Sequence, residues 1–194
     1  MLSFNESLKI LKETNALLEG HFILSSGLHS AQYVQCAKLL SNPKKSEQIC
    51  LSLCEKIKNE FTDIDIVLSP AIGGIVVGYE IGRQLGVKTI FAERSNGKLV
   101  LRRGFEIPEK SKVLILEDVI TTGKSVLECA EIIKINNSKL LGFACIIDRS
   151  DEKSLMKDKI ISQIKLKINT YKENEIPDKL KSITPSMPGS KNLK

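Results

Sequence analysis

Short apolar runs alternate along this chain with stretches whose apolar positions recur every three or four residues, the spacing of one helix face. Phe4, Leu8, Leu11 and Ala16 with Leu17 predict an N-terminal helix. The stretches around Phe22–Leu24 and Tyr33–Cys36, separated by Ser25-Ser26-Gly27, predict a hairpin. Asn42-Pro43 then opens a helix through Ile49, Leu53 and Ile57, with proline at a first-turn position where its missing N–H costs nothing. From there the pattern is regular: strand Ile64–Leu68, helix Gly74–Leu85 stopped at Gly86, strand Val87–Ala92, strand Val113–Leu116, helix Thr122–Ile135 and strand Leu140–Ile147.

Strands joined through helices make a parallel sheet, so the expected class is α/β, with a central, mostly parallel β-sheet flanked by helices. The unbroken apolar run Val113-Leu114-Ile115-Leu116 fits a strand covered on both faces. Sheets of this kind bind ligands beyond the carboxyl ends of their strands. That singles out Ser69–Gly74, Glu93–Gly104 and Glu117–Ser125, each following a predicted strand.

Composition narrows the function classes. With 194 residues, 42% hydrophobic and 27% charged, the chain suits one ordinary folded domain. No apolar run approaches the roughly 20 residues of a bilayer helix, and no stretch reads as a secretory leader, so no membrane partner is expected. The net charge of +6 comes mostly from residues 151–194, where ten lysines face six acidic residues. Aromatic residues are only 5%, and no cationic stripe has aromatics set between its charges, which argues against a nucleic-acid partner. The five cysteines (36, 50, 54, 129 and 145) are scattered through apolar stretches, as expected of free, buried thiols in a reducing cytoplasm. With only His21 and His29 to join them, a protein metal site is not expected.

The densest chemistry lies in Glu117-Asp118-Val119-Ile120-Thr121-Thr122-Gly123-Lys124-Ser125. Adjacent carboxylates, acceptors only, suit sugar hydroxyls. The Thr-Thr-Gly turn into a helix offers backbone N–H groups and hydroxyls to a phosphate. Together they describe a sugar-phosphate pocket. A nucleotide P-loop would need glycine five residues before Gly123, and Asp118 stands there. Taken alone, the same residues could simply cap a helix, Arg149 could be a surface ion pair with Asp148 or Asp151, and the cations Arg94, Lys98, Arg102 and Arg103 could be a solvated hairpin tip. The glycine- and cation-rich stretch Arg94–Phe105, with Asn96-Gly97 as a turn, is expected to be a mobile flap.

Residues Val113–Ser125, four apolar positions, two acids, two apolar positions and Thr-Thr-Gly-x-Ser, resemble the phosphoribosyl-pyrophosphate motif of the type I phosphoribosyltransferases. Phe22–Ser30, Ser69–Gly74, Glu93-Arg94, Leu101–Phe105 and Asp148-Arg149 narrow the resemblance to the orotate-specific branch, over residues 14–150. The resemblance implies the type I fold as a single domain over residues 1–194, with a small hood mainly from residues 1–40 and part of the tail, and a core over about 41–170. It implies transfer of the phosphoribosyl group to orotate, with Mg²⁺ as cofactor held largely by substrate oxygens, and a homodimer with shared active sites. It assigns catalysis to Lys98 and Asp118. Phosphoribosyl pyrophosphate would be bound by Arg94, Lys98, Glu117, Asp118, Val119, Ile120, Thr121, Thr122, Gly123, Lys124 and Ser125, and orotate by Thr121 and Arg149.

The chain departs from the family's better-known pattern at Ser25, Gly73 and Ser95, where many members carry lysine, and at Val100, where they carry histidine. Arg102 and Arg103 are candidates to replace those cations. The Leu101–Phe105 stretch resembles one bacterial branch, in whose tail a Cys-Pro-x-Cys pair is usual; here Ile176-Pro177-Asp178-Lys179 replaces it, while Pro188-Gly189-Ser190-Lys191 remains. Two other classes stay open: a transferase acting on a purine base, and a non-catalytic sensor of the sugar phosphate. Arg149 and the Phe22–Ser30 segment favour orotate over a purine, and Glu117, Asp118 and Lys98 together favour an enzyme over a sensor.

Overall fold

The computed structural model describes residues 1–151 and 154–188, so Gly189, Ser190 and Lys191 of the tail motif lie outside the described residues. In chain order the elements are α1 (Phe4–Glu13), β1 (Leu17–Ile23), β2 (His29–Val34), α2 (Cys36–Leu40), α3 (Pro43–Glu60), β3 (Ile66–Pro70), α4 (Gly73–Leu85), β4 (Lys88–Ser95), β5 (Lys98–Leu101), β6 (Lys112–Ile120), α5 (Lys124–Ile135), β7 (Lys139–Asp148), β8 (Ile160–Lys165), β9 (Thr170–Tyr171) and α6 (Asp178–Lys181), with a 3₁₀ turn at Glu173–Glu175.

Six strands form one sheet in the order β5-β4-β3-β6-β7-β8, parallel at every neighbouring pair except β4 with β5. Alternation along the central strands sends side chains to both faces. Val113 and Ile115 join Ile66 and Leu68 in a cluster completed by Val126, Cys129 and Ile133 of α5. Leu114 and Leu116 join Val67 against Val77 and Ile81 of α4 and Ile49, Leu53 and Ile57 of α3. All four residues of the Val-Leu-Ile-Leu run are fully buried, each contributing about 2 kcal/mol of burial, which is why that strand carries no polar alternation.

This two-sided cover fixes where a ligand can sit. The chain passes from β3 to β4 through α4 on one face, and from β6 to β7 through α5 on the other. The direction of winding therefore reverses between β3 and β6, and the crevice opens at their carboxyl ends.

A second sheet, β1-β2-β9, is antiparallel and stands apart. It is tied to the tail through His21: Nδ1 lies 2.9 Å from the carbonyl of Ile183, Nε2 lies 2.7 Å from His29 Nδ1, and the His21 carbonyl accepts from Ser186 N–H at 2.9 Å. All five cysteines are free and buried.

Several expected boundaries move. The first helix stops at Glu13, because Asn15 adopts a left-handed φ of 55°, and Ala16 and Leu17 are buried at the start of β1 instead. Cys36 begins the short helix α2 rather than ending the hairpin. Strand β6 continues to Ile120, which places Glu117 and Asp118 inside it, and α5 starts at Lys124 rather than Thr122. The expected flap is in large part built structure. Lys98–Leu101 pairs with β4, Leu99 is buried, and the Phe105 ring meets Phe91 edge-on at 5.0 Å.

Candidate active site

The crevice between β3 and β6 is built from two backbone turns. On the β6 side the chain leaves the sheet at Ile120 and turns through Thr121 and Thr122. It enters α5 over Gly123, whose φ of 81° suits a residue without a Cβ. A small cavity of about 60 Å³ is lined by Glu117, Val119, Ile120, Thr121, Thr122, Gly123, Lys124, Ser125 and Val126. The sequence-predicted segment is thus gathered around one concavity at a helix N-terminus, the arrangement that suits an anion.

Asp118 is the segment's exception. Its carboxylate does not line that cavity but lies against the backbone of Gly73 at the start of α4, and it accepts from the Val119 N–H at 2.9 Å. Burial, with Asp118 next in the chain, pushes the Glu117 carboxyl up to about 8. Burial also raises that of Asp118, against the pull of its backbone hydrogen bonds. Neither carboxylate has a cationic partner among the described residues. Two half-buried carboxyl groups without a counter-charge are suited to accept from hydroxyl donors or to ligate a hard divalent cation such as Mg²⁺. No group of three or more His, Cys, Asp or Glu side chains able to hold a metal occurs among the described residues, so this pair could at most share such an ion with a ligand.

Arg149 follows β7, and its own N–H is tied to the Ile120 carbonyl at 2.8 Å, which fixes it beside the turn. It is half-buried, its Nε has no hydrogen-bond partner among the described residues, and burial pulls its pKa down. The opposing influence comes from Tyr33 of β2. A desolvated fork without an acceptor is suited to a carboxylate.

Lys98 and Arg94 lie outside the cavity, on the β4–β5 hairpin. Asn96 and Gly97, with φ of 49° and 80°, form its two-residue turn, and the exposed Lys98 begins the return strand opposite Ser95. Arg94 is engaged by Glu128 of α5. Arg103 is held by Glu93 through two 2.8 Å contacts and lies over the Phe91 ring, so of the two candidate replacement cations it is the committed one.

Sequence reasoning missed two parts of the site. One is Glu128. The other is the strap Ser154–Met156, where Leu155 N–H donates to the Thr122 carbonyl at 2.9 Å and Met156 packs on Gly123. Neither carries a local signal, since each acts on residues about thirty positions away in the chain.

Comparison with known proteins places this arrangement. Residues 37–178 match the phosphoribosyl transferase domain. The chain is 47% identical over 186 residues to an orotate phosphoribosyltransferase of Chlorobium phaeobacteroides, covering 95% of this chain and 94% of that one. It is 46% identical over 187 residues to one of Caldicellulosiruptor saccharolyticus, covering 96% and 97%. Its fold is similar to the crystal structure of orotate phosphoribosyltransferase from Aeropyrum pernix, with a TM-score of 0.69 at 23% identity, over 82% of this chain and 93% of that one.

Proposed function

This chain belongs to the orotate phosphoribosyltransferases, a branch of the phosphoribosyl transferase family, and on that premise we propose how its residues divide the work. The enzyme transfers the 5-phosphoribosyl group of phosphoribosyl pyrophosphate to orotate, giving orotidine 5′-monophosphate and pyrophosphate, in the de novo route to UMP. Orotate N1 forms the new bond to C1′ as the C1′–oxygen bond to pyrophosphate breaks.

The turn Thr121–Ser125 holds the 5′-phosphate through its backbone N–H groups and hydroxyls, with Val119 and Ile120 shaping the floor and Lys124 adding charge at the rim. Glu117 and Asp118 hold the ribose 2′- and 3′-hydroxyls. The observation that carries this assignment is the pair of half-buried carboxyl groups with no cationic partner among the described residues, adjoining a backbone turn at a helix N-terminus. Arg149 forks onto the orotate carboxylate, with Thr121 beside the ring. The small sheet, with Tyr33, serves as a hood over it. Mg²⁺ would fit here as an ion brought by the substrate, with Glu117 and Asp118 the residues that would hold the ribose beside it. When bound, it neutralises charge on the leaving pyrophosphate.

No protein nucleophile is needed. Positive charge builds on the ribose and negative charge on the leaving group, so these residues act by positioning and electrostatics. Lys98 meets the departing pyrophosphate, with Arg94 as a fixed charge behind it. Because both sit outside the cavity of their own chain, we take the site to be completed by a second copy in a homodimer. An exposed apolar stripe supports this: Ile72, the cap residue of α4, and Val76 and Tyr79 within it are 84%, 50% and 65% exposed at helical spacing, and the stripe starts at the rim of the crevice. Among the described residues no helix is long and apolar enough to cross a membrane, and buried free thiols fit the proposed cytoplasmic location.

The test is loss of orotate absorbance on adding phosphoribosyl pyrophosphate and Mg²⁺, with adenine, hypoxanthine and uracil as alternative acceptors. Turnover of orotate alone is expected. Turnover of a purine in its place would assign the purine reading, and no turnover at all would assign the sensor.

A further inference from the structure

Glu128 projects from α5, the helix that the phosphate turn begins, and grips both strands of the β4–β5 hairpin. Its carboxylate lies 3.1 and 3.4 Å from Arg94 Nη1 and accepts from the Leu99 backbone N–H at 3.1 Å. Arg94 and Leu99 are register partners across β4 and β5, so one side chain spans the ladder one rung before the Ser95–Lys98 pair that closes on the turn. Arg94 Nη1 also donates to the Gly97 carbonyl at 2.6 Å. Lys98 therefore has both neighbours fixed. Gly97 is braced through Arg94, and Leu99 is tied to Glu128 and buried under α5.

An exposed ion pair by itself contributes little to stability. Here the carboxylate is three-quarters buried, and it also satisfies an N–H of β5, the edge strand of the main sheet. Its effect is geometric: the backbone that carries Lys98 is locked to α5 of its own chain, so the hairpin reaches outward from a fixed base. We propose that Glu128 is a positioning residue for the transfer reaction, setting the reach of the Lys98 side chain toward a pyrophosphate-bearing ligand. This rests on the proposed role of Lys98 and adds a residue that touches neither substrate. A misplacement of about 1 Å at such a group is enough to cost about a hundredfold in rate.

The experiment compares wild type with Glu128→Ala and Glu128→Gln, using ligands that do and do not carry pyrophosphate. Wild-type turnover of orotate is measured first, since its absence would sink the transferase reading itself. Glu128→Ala is expected to lower kcat about tenfold or more and to weaken phosphoribosyl pyrophosphate, while ribose 5-phosphate binds within about twofold of wild type. Glu128→Gln keeps an acceptor for the Leu99 N–H but loses the charge, so it should fall between; it also carries the test if the alanine variant does not fold. Hydrogen exchange at the Leu99 amide should quicken in the same order. Parallel loss of ribose 5-phosphate binding would show that Glu128 only supports α5 and its turn, and unchanged kcat in both variants would equally overturn the proposal.

Discussion

Asp118 and Gly73 fit together because the glycine has no side chain: a Cβ at Gly73 would stand 2.7 and 2.9 Å from the two carboxylate oxygens of Asp118. The start of α4 and the carboxyl end of β6 thus meet with no room for a Cβ between them. Gly73→Ala should push Asp118 aside, raising the KM for phosphoribosyl pyrophosphate and lowering kcat about tenfold, with a loss of about 1 kcal/mol in stability. Gly73→Lys should behave no better, because the added cation comes with the same displaced acid. Steady-state kinetics and thermal unfolding check both. Wild-type kinetics in either variant would show that Asp118 can give way without consequence.

Glu117 predicts a pH dependence with a definite sign. An ordinary glutamate titrates near 4.5, and burial moves this one to about 8 in the folded chain. Between those values the folded form keeps a proton that the unfolded form has released, so this residue's contribution to stability falls as pH rises from about 4.5 through 8. Glu117→Gln removes the effect. Denaturant unfolding should find the variant more stable relative to wild type at about pH 8.5 than at about pH 5. An equal difference at both values would mean Glu117 ionises normally.

Arg149 separates the two substrates. Arg149→Ala should raise the KM for orotate about tenfold or more while that for phosphoribosyl pyrophosphate moves little. Arg149→Lys should fail to restore it, since an ammonium cannot make the fork. Equal effects on both constants would assign Arg149 a structural role.

The phosphate turn is strapped as well as built. At Gly123 a Cβ would press on the Met156 side chain, and the backbone there is left-handed. Gly123→Ala should cost about 1–3 kcal/mol from backbone strain plus this clash. Adding Met156→Ala should recover the steric part, visible as a coupling in a double-mutant cycle of unfolding free energies. Strict additivity would show that the strap does not bear on the turn.

The elements most legible in the sequence were those whose pattern is local. Val113–Leu116 shows a strand covered on both faces, Asn42-Pro43 marks the start of α3, and Gly86 marks the end of α4. Strand β8 escaped because its pattern is broken by Gln163, a buried polar residue whose amide donates to Ser7 Oγ at 2.8 Å, more than 150 positions away. Strand β5 was hidden among cations that turn outward while Leu99 turns in. The nine residues Glu117–Ser125 announced their chemistry because carboxylates, turn and helix start are contiguous. Glu128 and Ser154–Met156 did not, since what they do is set by tertiary contacts alone.

If a pocket from one chain and a hairpin from another make one working site, mixing two inactive variants restores it. Lys98→Ala lacks the hairpin cation and Asp118→Asn lacks a pocket acid, and each homodimer should turn over orotate poorly. After subunit exchange, heterodimers hold one site with both defects and one with neither. Orotate consumption in the mixture should rise well above that of either parent, toward about a quarter of wild type if exchange is random. A mixture as inactive as its parents, with exchange confirmed, would rule out the shared site and place the hairpin in its own chain's site.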